Sequence, residues 1–95
     1  MTATKRNRIS DLLDTPSLVV AYLNEAMATG DAAEIAAALG HIAKSTVGMK
    51  LLAEETGLGR ETLYRVLSAD GNPTLETLLK VCKALNVKLS LEPAA

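Results

Sequence analysis

Two short apolar-periodic runs meet at a glycine-bracketed leucine, Thr56-Gly57-Leu58-Gly59, and this break constrains the chain more than any other feature. Leu51, Leu52 and Ala53 belong to the first run, and Arg60 opens the second. At about 100° per residue, Leu63, Val66 and Leu67 share one side of the second run. Arg60, Glu61, Tyr64, Arg65 and Ser68 fall on the other. Gly57 suits the left-handed conformation that ends a helix and turns the chain sharply. Leu58 is expected to plug the angle between the two helices. The layout is that of a helix-turn-helix, whose second helix can lie in a DNA major groove.

The flanking chain reads as further helices. Thr15-Pro16 is a helix start, with Thr as cap and Pro at the first helical position. Leu18, Val19, Tyr22, Leu23, Ala26 and Met27 then recur at helical spacing until Gly30. Asp31-Ala32-Ala33-Glu34 has capping-box spacing and opens a second helix, striped by Ile35, Ala36, Leu39, Ile42 and Ala43. Gly40 inside that stripe marks a tight crossing or a kink, because a helical glycine costs up to ~1 kcal/mol relative to alanine. Ser45 to Gly48 loosens the helix end. After the turn-rich stretch Ser68–Pro73, Thr74 caps a fifth helix with Leu75, Leu78, Leu79, Cys82 and Leu85 as its stripe, Val81 beside it, and Asn86 as left-handed cap. Val87-Lys88-Leu89-Ser90-Leu91-Glu92 alternates with strand period. A lone strand leaves its backbone groups unpaired, so the expectation is antiparallel pairing of Val87, Lys88, Leu89, Ser90 and Leu91 with a second copy across a twofold axis.

The reading is an all-α, five-helix domain over residues 16–95, preceded by an arm over 1–15. The expected helices are about 16–29, 31–46, 49–56, 60–68 and 74–86, with a strand at about 87–92. Ninety-five residues make one domain with one modest core. Hydrophobic residues are 48% but aromatics 2%, so that core is aliphatic and suits closely packed helices. A single cysteine excludes an internal disulfide and a cysteine-based zinc site. Cys82 reads as a small buried hydrophobe and His41, the sole histidine, as a surface or packing residue. No triad, phosphate-cradling glycine loop or metal cluster is visible, so no enzymatic activity, catalytic residue, metal or cofactor is expected. The polar start and the lack of a long apolar run lead to a cytoplasmic expectation.

Net charge is −1, which argues against a broad basic footprint. The positive charges are local instead: Lys5, Arg6 and Arg8 in the arm, then Lys44, Lys50, Arg60 and Arg65 near the break. A local patch, doubled in a dimer, implies modest DNA affinity that falls quickly with salt. In groove chemistry, Arg60 and Arg65 can each bind guanine in bidentate fashion, and Glu61 can accept from cytosine N4. Tyr64 offers its ring to a thymine methyl or its hydroxyl to phosphate, and Thr62, at the edge of the face, reaches phosphate.

Leu52-Ala53, Gly57-Leu58 and Arg60-x-Thr62-Leu63-Tyr64-Arg65 together resemble the helix-turn-helix of the phage-repressor-like (Xre) family. The segment Gly71-Asn72-Pro73-Thr74-Leu75-x-Thr77-Leu78-Leu79-Lys80 is similar to the stretch after the recognition helix there, so the likeness covers roughly half the chain. The small size, the two N-terminal helices and the ending Leu85–Leu91 look more narrowly like HigA-type addiction-module antidotes. This resemblance implies a lambda-repressor-like fold and a homodimer on palindromic operator DNA. It implies base contacts from positions matching Arg60, Glu61 and Arg65. It also implies backbone contacts from Met49, Lys50 and Asn72, and a small RelE/HigB-like toxin as protein partner. Gly59 stands where the family often has Ser or Thr, so one capping or phosphate-binding hydroxyl is missing. The expected role is a DNA-binding antitoxin that represses its own operon and neutralises that toxin. The alternatives are a stand-alone Xre-type repressor and a helical protein-interaction module without DNA binding.

Overall fold

Five α-helices succeed one another in the computed structural model, which describes residues 16–94. They are α1 (Pro16–Ala28), α2 (Ala32–Ile42), α3 (Met49–Thr56), α4 (Arg60–Val66) and α5 (Leu75–Ala84). The expected arm, with Lys5, Arg6, Arg8 and the Thr15 cap, lies outside the described residues. Among the described residues all regular secondary structure is helical.

Local chemistry sets the helix ends. Asp31 begins α2 by accepting the Ala33 amide at 2.9 Å. Beyond Ile42 the chain does not loosen but widens into a π-helical turn, Ala43–Val47. The Gly48 amide closes it on the Ala43 carbonyl at 2.7 Å. Ser45 and Thr46 donate their hydroxyls to the carbonyls of His41 and Ile42, four residues back. Such back-bonding competes with the regular ladder and favours a wider turn. Thr74 caps α5 by accepting the Thr77 amide at 3.1 Å. At the other end Asn86 takes φ 64°. The Val87 amide then reaches the Cys82 carbonyl and the Asn86 amide reaches Lys83, the paired bonds of a Schellman motif.

Leu39, Ile42, Leu52, Leu63 and Val81 are completely buried, so α2, α3, α4 and α5 each place a large aliphatic side chain in the centre. Val19 and Leu23 of α1 close one side. The buried face of α5 departs from the expected stripe. Val81 and Cys82 are buried, Leu78 and Leu85 pack at the core's edge, and Leu75 and Leu79 are exposed. At about 100° per residue the apolar arc of α5 spans roughly 160°, wider than one chain covers.

The expected strand is not formed. No strand occurs among the described residues, and Lys88, Leu89, Ser90 and Leu91 are exposed while Val87 leans on the core. Alternation specifies which side chains share a face, but strand hydrogen bonds need a neighbour, and one chain supplies none.

Candidate nucleic-acid interface

The bend between α3 and α4 is built by three consecutive residues. Gly57 adopts φ 76°, ψ 11°, and its amide bonds to the Ala53 carbonyl. Thr56 is buried, yet its hydroxyl is satisfied twice. It donates to the Leu52 carbonyl at 2.8 Å and accepts the Leu58 amide at 3.2 Å. Leu58 packs against the core from inside the bend. Sequence reasoning finds the two glycines and misses the threonine; a hydroxyl one residue before a helix-ending glycine is the available signal.

Leu63 and Leu67 anchor α4 inward. That fixes its rotation, so Arg60, Glu61, Tyr64 and Arg65 all lie on the exposed face, and Thr62 sits half-buried at its edge. Tyr64 is 45% exposed. Of the residues assigned to the DNA backbone, Lys50 is exposed on the first turn of α3, and Asn72 is exposed in the loop leading to α5. Met49 differs: the residue is 5% exposed and belongs to the core. Its amide lies on the first turn of α3, where a helix offers no backbone acceptor.

One neighbour of this face carries no site role in the sequence reading. Lys44, on the π-helical turn, holds its Nζ 5.3 Å from the centroid of the Tyr64 ring. Close by, Gly40 marks a tight crossing. A Cβ there would collide with the Leu67 carbonyl oxygen, so α2 and the end of α4 approach backbone to backbone.

Elsewhere, Tyr22 and His41 lie 5.8 Å apart, ring centre to ring centre, along a groove between α1 and α2. Cys82 is buried, and burial pushes its thiol pKa up, away from nucleophilic character. Among the described residues no group of three His, Cys, Asp or Glu side chains is placed to hold a metal ion, and no helix is long and apolar enough to cross a membrane.

A family model described as "Probable addiction module antidote protein" matches residues 3–93. The chain belongs to this family. An antidote of this kind is the antitoxin half of a toxin–antitoxin module. A relative from Haemophilus influenzae, itself described as an uncharacterized protein, is 37% identical over 84 residues, covering 88% of this chain and 86% of its own. No solved structure matches the chain. The match is to the antidote family; the narrower HigA-type likeness rests on the motifs alone.

Proposed function

We propose that this antidote is a DNA-binding antitoxin of a type II module. It inserts α4 into the major groove of its own operator, represses the operon and neutralises a RelE/HigB-like toxin by direct binding in the cytoplasm. The observation that carries the DNA half is the exposed face of α4, where Arg60, Glu61, Tyr64 and Arg65 stand together while Leu63 and Leu67 hold the helix from beneath. Two guanidiniums and a carboxylate on one short helix supply the donors and acceptor that base edges require. Lys50, Thr62, Asn72 and the Met49 amide are the phosphate contacts in this reading.

The same reading includes a homodimer. Leu75 is 67% and Leu79 49% exposed, and Leu79 shares a groove with Val87 and Leu89. An apolar arc wider than its own core supports burial against a second copy. A twofold would present two α4 helices to a palindrome.

Co-expression with the adjacent small gene tests the toxin half: the two products copurify if it holds, and failure to copurify leaves a stand-alone repressor. Gel retardation of the upstream DNA tests the other half. A retarded band competed poorly by unrelated duplex supports operator reading; no retardation refutes it, leaving the protein-interaction module that a net charge of −1 favours.

A further inference from the structure

We propose that Lys44 and Tyr64 together form a phosphodiester site at the flank of α4, and that Tyr64 serves this site and not a base edge. The proposal rests on the reading of α4 as the groove-entering helix. Lys44 comes from the π-helical turn after α2 and Tyr64 from the exposed face of α4, so the two side chains join two separate elements. Nearby, α2 passes over Leu67 so closely that only glycine fits at position 40.

The geometry constrains what each group can do. With the Lys44 ammonium 5.3 Å from the ring centroid, within cation–π range, one face of Tyr64 is already occupied. That face is not free to lie on a thymine methyl. Besides the opposite ring face, the groups on offer are the phenol hydroxyl, which donates, and the ammonium, which carries three donors and no acceptor. Both residues are exposed. Two adjacent donors, one cationic, suit the two non-bridging oxygens of a phosphate. Lys44 also stands off the groove-reading helix, and phosphate contacts are those that position a protein on a duplex without reading sequence. The π-helical turn, a geometry frequent at functional sites, is the element that carries Lys44.

Salt dependence separates this role from base reading. Binding to the upstream duplex and to a mixed-sequence duplex of equal length is measured by anisotropy across a salt series. Lys44→Gln is expected to lower the slope of log K against log salt by about 1 and to weaken both duplexes equally. Lys44→Arg keeps the wild-type slope. Tyr64→Phe weakens both duplexes to the same degree and leaves the order of preference among base-substituted operators unchanged. An unchanged slope in Lys44→Gln overturns the site while wild-type binding keeps the α4 reading intact. A Tyr64→Phe loss confined to the operator, or a changed base preference, likewise overturns it. Absence of wild-type binding to either duplex overturns both.

Discussion

Gly40 of α2 faces the carbonyl oxygen of Leu67 across a gap too small for a methyl group. The Leu67 carbonyl carbon and Cβ would also lie 3.1 and 3.3 Å from an added Cβ. In an open helix, Gly→Ala gains up to ~1 kcal/mol. Here the sign reverses, because backbone cannot swing aside as a side-chain tip can. Gly40→Ala is expected to cost about 1–3 kcal/mol, as overpacking does, read as a lower urea midpoint. A neutral or raised midpoint would show that the two helices do not cross so closely.

The hydroxyl of Thr56 is the polar hinge of the bend, bonded to Leu52 and Leu58 while buried. Thr56→Val keeps the shape and removes both bonds, leaving the Leu58 amide without its acceptor. The cost is about 1–3 kcal/mol. Thr56→Ser retains the hydroxyl and costs less. Equal stabilities for the two variants in chemical denaturation would remove this role.

Arg60 and Arg65 are exposed, so Arg60→Ala and Arg65→Ala should melt like the wild type. Each is expected to lose about 1–3 kcal/mol of operator discrimination, seen as a weakened footprint with little change on unrelated DNA. Unaltered footprints in both would dismiss α4 as the reading helix.

Leu79→Lys places a charge in the centre of the uncovered part of α5. As a surface change it shifts the stability of dilute protein by no more than about 0.5 kcal/mol, yet sedimentation should show a shift toward monomer. A dimer that survives this substitution, and Leu75→Lys beside it, is held by some other face.

Legibility varies along the chain for physical reasons. The bend between α3 and α4 is readable because a left-handed glycine and a sharp reversal are local requirements. The outward grouping of Arg60, Glu61, Tyr64 and Arg65 comes from helical spacing once Leu63 is assigned inward. The rotation of α5 is not readable: its leucines satisfy two overlapping stripes, and the choice of Val81 over Leu79 is made by the helices it meets. The segment after Asn86 carries strand periodicity, but pairing is a property of two segments, and one sequence does not contain the second. Met49 matches a family backbone contact by position while its side chain belongs to the interior, and a single residue type does not show that division. Lys44 and Tyr64 are twenty residues apart on different elements, and tertiary packing brings them together.

The placement of the two tyrosines has an optical consequence. With no tryptophan in the chain, intrinsic fluorescence comes from Tyr22, tilted against His41, and Tyr64, beneath Lys44. Each ring therefore watches a different flank of the molecule without any label. Removing the first with Tyr22→Phe leaves a single-emitter protein whose signal belongs to the α4 flank alone.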